Sequence, residues 1–247
     1  MAVEVVVLGS PAEVCLRAAQ IVEGALRARP ATVLGLPTGN TPRALYAELG
    51  RLHREAGLSF ARASAFALDE YLGIAPDHPG SFRRYLNEAL YRRIDLPADR
   101  AHFPDGQSAD LPGACALYEA EIAAAGGIDL LLLGLGADGH IAFNEPGSSF
   151  ASRTRVATLA EGTRAANRAA FDPEPVPRQA LTIGVGTILE ARRCLLLAFG
   201  PGKATAVAEM VEGPPSERLP ASALQLHAHA TVLIDGAAAA RLRPPGT

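Results

Sequence analysis

Short apolar runs alternate with longer amphipathic stretches along the chain. Val3–Leu8, Thr32–Leu36, Ala63–Leu68, Ile128–Leu135, Cys194–Phe199 and Ala230–Ile234 have strand length and composition, and Thr154–Leu159 and Gln179–Ile183 read as further strands. Between them, Pro11–Arg29 carries Val14, Ala18, Ile21, Val22 and Leu26 on one helical face. Helices are also expected over Thr41–Glu55, with Pro42 at a tolerated first-turn position, and over Ser81–Ile94, Leu111–Ala124 and Lys203–Val211. A shorter helix comes after Gln179–Ile183. Several strands are apolar throughout rather than alternating, which suits a parallel sheet covered on both faces. The expected fold class is α/β: a single doubly wound, mostly parallel, Rossmann-like sheet with helices on both faces. Apolar structure resumes directly after the Pro/Gly clusters at 172–177 and 213–220, so one domain over 1–247 is expected.

Composition narrows the class. A net charge of -3 argues against a nucleic-acid or membrane-surface partner, which would demand a basic face. No apolar run approaches the ~20 residues needed to cross a bilayer, and Met1–Leu8 lacks the basic segment of an export signal. Cys15, Cys115 and Cys194 are odd in number and far apart, as buried reduced thiols would be. A cytoplasmic location is the expectation. Of the 23 basic residues one is a lysine, Lys203. In a chain that uses arginine wherever it serves, a single retained lysine points to a site that wants a compact ammonium.

In an open parallel sheet, ligands collect at the carboxyl ends of the strands. Thr32–Leu36 leads into Pro37-Thr38-Gly39-Asn40-Thr41-Pro42, and Ala63–Leu68 into Asp69-Glu70-Tyr71. Ile128–Leu135 leads into Gly136-Ala137-Asp138-Gly139-His140, with Asn144-Glu145-Pro146 behind, and Cys194–Phe199 into Gly200-Pro201-Gly202-Lys203. Thr38, Gly39, Asn40 and Thr41 offer free amides and hydroxyls before a helix, which suits an anion. Lys203 opens a helix after a glycine-rich turn, so the two loops could grip one phosphate. This is not a Walker A loop, because Leu197 stands in place of the first glycine and Ala204 in place of the magnesium-binding hydroxyl. Gly134-x-Gly136-x-x-Gly139 lacks both the following helix and the ribose-binding acid of a dinucleotide site. Asp138, His140 and Glu145 remain in one loop, with Asp69 on another. A histidine flanked by carboxylates can be held in one tautomer and act as an acid, while a separate carboxylate acts as base. With no second histidine nearby, the cluster is a poor metal site.

These residues carry a resemblance to the glucosamine-6-phosphate deaminases of the deaminase/6-phosphogluconolactonase superfamily, across nearly the whole chain. It rests on Leu34–Pro42, Leu68–Tyr71 and above all Gly134–Pro146, whose Asp-Gly-His-Ile-Ala-Phe-Asn-Glu-Pro run is the most specific. Ser152–Arg155, Ala180–Leu189 and Ser222–His227 continue it. The resemblance implies a deaminase that converts an amino sugar phosphate to fructose 6-phosphate and ammonia with neither metal nor organic cofactor. On it, His140 opens the sugar ring, Asp69 moves the proton from C2 to C1, and Asp138 and Glu145 orient His140. Thr38–Thr41 and Lys203 hold the 6-phosphate. Galactosamine-6-phosphate deaminase, 6-phosphogluconolactonase and a non-catalytic sugar-phosphate sensor are the alternatives, and a homo-oligomer is left open.

Two departures stand out. Family members carry an arginine where Ala169 stands, and Arg168, one residue early and rotated by ~100° on a helix, is the candidate replacement. Allosteric hexameric members carry a lysine at the position of Ala157 and a longer tail than one ending at Thr247. No activation by N-acetylglucosamine 6-phosphate is therefore expected, and Arg155 and Ser148 are read as polar surface or oligomer contacts.

Overall fold

A computed structural model describes residues 3–243. Met1, Ala2 and 244–247 lie outside the described residues, and with them both ends of the expected domain and the first two residues of the Met1–Leu8 segment. Seven strands, β1 (Glu4–Leu8), β2 (Val33–Leu36), β3 (Ser64–Ala67), β5 (Ala101–His102), β6 (Leu130–Gly134), β9 (Cys194–Ala198) and β10 (Ala230–Asp235), form a sheet ordered β1-β10-β9-β6-β2-β3-β5. All of its pairings are parallel.

Burial explains the choice of strand. All residues of β2 and β9, and the four leucines of β6, are buried. Their side chains divide by the two-residue period of a strand. Val33, Leu131, Leu133, Leu196 and Val232 join one core cluster, whereas Leu34, Leu36, Leu130, Leu132, Leu195, Leu197 and Leu233 join the other. Helix α1 (Pro11–Ala28) closes the second cluster with Val14, Ala18, Val22 and Leu26, and α2 (Arg43–Ala56) with Leu45, Tyr46 and Leu49. Ser10 caps α1 by accepting from the Glu13 amide, and the Glu13 carboxylate accepts from the Gly9 amide. Helix α4 (Leu111–Ala124) contributes Tyr118 and Ile122 to the first cluster, and α7 (Ala204–Glu212) contributes Val207 and Met210.

The fold class is as expected, with one difference. Three strands leave the main sheet and form a small antiparallel one, ordered β4-β8-β7: β4 (Asp69–Tyr71), β7 (Arg155–Thr158) and β8 (Gln179–Thr182). Only Leu68 separates β3 from β4, so the chain steps from one sheet to the other at Asp69. The expected helix over Ser81–Ile94 ends at Ala89 as α3 (Phe82–Ala89), and a 3₁₀ turn, Tyr91–Arg93, comes next. The Glu70 carboxylate accepts from the amides of Phe82 and Arg83 and from the Ser81 hydroxyl, which satisfies the start of α3. Two short helices complete the chain, α5 (Glu161–Asn167) and α6 (Val185–Leu189). Among the described residues no helix is long and apolar enough to cross a membrane.

Candidate active site

After β2 the chain runs toward β3 and β5, whereas β6, β9 and β10 are laid down on the other side. The direction of winding therefore reverses between the neighbouring strands β2 and β6, and ligand crevices open at such a point. A cavity of about 410 Å³ lies there. Thr38, Gly39, Asn40 and Thr41 succeed β2 and border it, as do Asp69 at the start of β4, Asp138 and His140 after β6, and Lys203 after β9. Four remote stretches thus meet at one opening.

The loop after β2 is fixed from beneath. The Tyr46 hydroxyl donates to the Pro37 carbonyl and the Tyr85 hydroxyl to the Gly39 carbonyl, which anchors the loop where it borders the cavity. Lys203 is partly buried at the N-cap of α7. Burial lowers its pKa, and Asp138 works in the opposite direction. The two groups therefore share the electrostatics of one cavity.

Asp69 forms the floor. It is 5% exposed and pairs with Thr182 across the small sheet. Burial, with Glu70 adding to it, pushes its carboxyl well above the usual range. Such a carboxylate is a stronger base than one in water.

The rim is built differently. His140 Nδ1 lies 2.7 Å from Asp138 Oδ1 and 3.8 Å from Glu145 Oε2. The 2.7 Å approach of Nδ1 to Asp138 is of hydrogen-bond length, whereas Oε2 of Glu145 is buried without a hydrogen-bond partner. The His140 side chain, outweighing partial burial, holds the Asp138 carboxyl down at about 2. Gly136 makes the arrangement possible, since a Cβ there would overlap the His140 ring. The Phe143 amide donates to Thr182 Oγ1, and the Asn144 side chain donates to the carbonyls of Ile141 and Ile183. Those bonds tie the His140 loop to β8, the strand that pairs with Asp69. Glu145 does not border the cavity; its other oxygen accepts from the Ala160 amide.

Arg168, the candidate phosphate ligand of the sequence, is not brought to the cavity. It is exposed, opens a 3₁₀ turn after α5 and does not border the cavity. Thr163, Ala166 and Asn167 are on the cavity side of that helix instead, so residue 168 is rotated away. Arg155 and Ser148 are more than surface: Arg155 donates to Asn144 Oδ1 and Ser148 Oγ, and burial lowers its pKa. Phe82 and Phe143, stacked 5.6 Å apart, also line the cavity. Phe143 stands within the Gly134–Pro146 run but was given no role there, and no motif marked Phe82, because aromatic residues in apolar surroundings look like core. Asp138, His140 and Glu145 present ligand atoms within 4.8 Å of one another and are the group of this kind among the described residues that could hold a metal ion.

Asp69, His140, the Thr38–Thr41 loop and Lys203 thus line one cavity at the switch point of a doubly wound sheet, the place where ligands bind in enzymes of this class. Residues 10–233 match the family model for glucosamine-6-phosphate isomerases/6-phosphogluconolactonase, and the chain belongs to that family. It is 50% identical to a glucosamine-6-phosphate deaminase of Arthrobacter sp. (strain FB24), over 97% of this chain and 93% of the relative. It is 51% identical to a glucosamine-6-phosphate deaminase of Rhodopirellula baltica, over 92% of this chain and 90% of the relative. Among solved structures, a monomeric glucosamine-6-phosphate deaminase superposes with a TM-score of 0.94 at 44% identity, covering 96% of this chain and 99% of that one. The 6-phosphogluconolactonase from Trypanosoma cruzi, at 24% identity and a TM-score of 0.79, shares the fold over 99% of both chains.

Proposed function

We propose that this chain is a glucosamine-6-phosphate deaminase that converts glucosamine 6-phosphate and water to fructose 6-phosphate and ammonia. The observation that carries the reading is that Asp69 and His140 border one cavity together with the Thr38–Thr41 loop and Lys203. Half identity to deaminases over nearly the whole chain supports the same substrate class. Lys203 and the Thr38–Thr41 amides and hydroxyls hold the 6-phosphate. His140, oriented by Asp138 and Glu145, delivers a proton to the ring oxygen as the ring opens. Asp69 takes the proton from C2 while His140, reprotonated by the hydroxyl proton that C1 gave up on ring opening, protonates the C1 carbonyl oxygen, and the same carboxylate then returns its proton at C1 to leave an iminium at C2. The iminium adds water and releases ammonia. None of these steps requires a metal or an organic cofactor.

A coupled assay for fructose 6-phosphate and ammonia tests the reading. Product from glucosamine 6-phosphate, at a higher kcat/KM than any from galactosamine 6-phosphate, is the expected result. Preference for the galacto epimer would reassign the substrate, and acid release from 6-phosphogluconolactone alone would replace the reading. Binding of the phosphosugar with no turnover would make the chain a sensor.

A further inference from the structure

The loop after β2 is held from below by two tyrosine hydroxyls, which raises the question of what holds the turn that bears Lys203. That turn, Gly200–Lys203, succeeds β9 and has no side-chain cap of its own. Its neighbour in the sheet is β10, whose last residue is Asp235, 5% exposed. The Asp235 carboxylate accepts from the Gly200 amide with both oxygens, at 3.0 and 3.2 Å, and from the Ala238 amide at 2.8 Å. The Gly200 carbonyl in turn accepts from the Lys203 amide at 3.1 Å. Gly200 sits at φ 86°, ψ 158°, a region that side-chain-bearing residues avoid, so the turn is over-determined at its first residue. A short chain of contacts thus runs from a buried carboxylate at the end of β10 to the backbone of Lys203.

We infer that Asp235 is a positioning residue for phosphate binding: by clamping the Gly200 amide it fixes the turn that aims the Lys203 ammonium into the cavity. The inference rests on the reading of Lys203 as a phosphate ligand and deepens it. Asp235 borders neither the cavity nor the acid–base groups, so its effect falls on binding and not on chemistry. Asp235 Oδ1 accepts from both amides and Oδ2 from Gly200 alone, so an Asn that keeps the Oδ1 bonds sets its own N–H group 3.2 Å from the Gly200 amide, which loosens the clamp while keeping the volume.

The test combines binding and kinetics on the full chain. Asp235→Asn is expected to raise the Kd for a hexitol 6-phosphate, measured by calorimetry, and the KM for glucosamine 6-phosphate by about tenfold. kcat should stay within about twofold of the unmodified chain, with the acid limb of its pH profile unmoved. In a Lys203→Ala background, which itself weakens binding, the same substitution is expected to add less than about twofold, because the residue it acts through is gone. If Asp235→Asn does not fold, Gly200→Ala serves, since its Cβ would meet nothing within 4 Å and strains only the turn. An unchanged Kd in a folded variant, an equal loss in kcat, or a full tenfold effect without Lys203 would each overturn the inference. So would a Lys203→Ala variant that binds the hexitol phosphate normally. The hexitol cannot open or lose ammonia, so its binding is read even if glucosamine 6-phosphate is not turned over, an outcome that would count against the proposed activity alone.

Discussion

Asp69 and Asp138 are the same side chain on one cavity, driven in opposite directions. Asp69 is buried where β3 gives way to β4, with Glu70 as its like-charged neighbour, and is pushed toward holding its proton. Asp138 lies on the rim, its side chain 42% exposed, against the His140 ring, and is held ionised at about 2. Environment, not residue type, sorts the two carboxylates, which on the proposed function makes Asp69 the base on the floor and Asp138 the partner of the imidazole above it. Burial raises the basicity of Asp69 at the expense of stability, whereas pairing with His140 keeps Asp138 ionised.

The largest way to break this contrast is Asp69→Asn. Removing the base is expected to lower kcat by about 10³–10⁴-fold, near the upper end of what a positioned proton acceptor supplies, with KM little changed in steady-state assays. His140→Gln should come next, with a loss of about 10²–10³-fold. Asp138→Asn should cost only roughly tenfold, because Glu145 remains beside His140 and the Asp138 carboxylate is partly screened by water. If Asp138→Asn proved as damaging as Asp69→Asn, the two carboxylates would not divide the work as described.

The pH dependence sharpens the contrast further. Asp69 works ionised and its folded pKa is raised, so kcat should fall as pH drops through a value above the ordinary ~3.9 of an aspartate. An acid limb at or below that value would contradict the burial argument. The smallest effect is on stability. A raised folded pKa means that the group favours the fold below its unfolded pKa and loses that contribution as pH rises through the folded one. At neutral pH, Asp69→Asn removes this penalty and should raise Tm by roughly 2–4 °C, the shift that about 1 kcal/mol produces in a chain of this size. The gain should shrink in acid, and a constant gain across pH would point to a different cause.

Much of this is legible in the sequence, and the reasons differ by region. The main sheet is readable because helices cover both faces, so β2, β6 and β9 are apolar at nearly every position. Asp69, Asp138, His140 and Lys203 stand out because each lies just beyond the carboxyl end of an apolar run, a placement that depends on topology alone. In the small sheet β7 and β8 are legible, as Thr154–Leu159 and Gln179–Ile183, but β4 is not: Asp69–Tyr71 carries two acids in three residues, and nothing local marks it as a strand before Thr182 pairs with it. Arg168 is misplaced by the sequence pattern because a one-residue shift on α5 and its 3₁₀ extension is decided by packing, which brings Thr163 and Asn167 to the cavity side. Asp235 escapes because the apolar pattern of its strand stops at Ile234, whereas the strand itself runs one residue further.

The floor and the rim perform separable steps on this account, and ring opening can be watched without deamination. Magnetisation transfer between the anomers of glucosamine 6-phosphate reports opening, while fructose 6-phosphate reports the C2-to-C1 proton transfer. With Asp69→Asn, the account predicts anomer exchange accelerated above the enzyme-free rate and no fructose 6-phosphate, whereas His140→Gln loses the acceleration. An Asp69→Asn variant that still forms fructose 6-phosphate at near the unmodified rate, or one that no longer speeds ring opening, would contradict it.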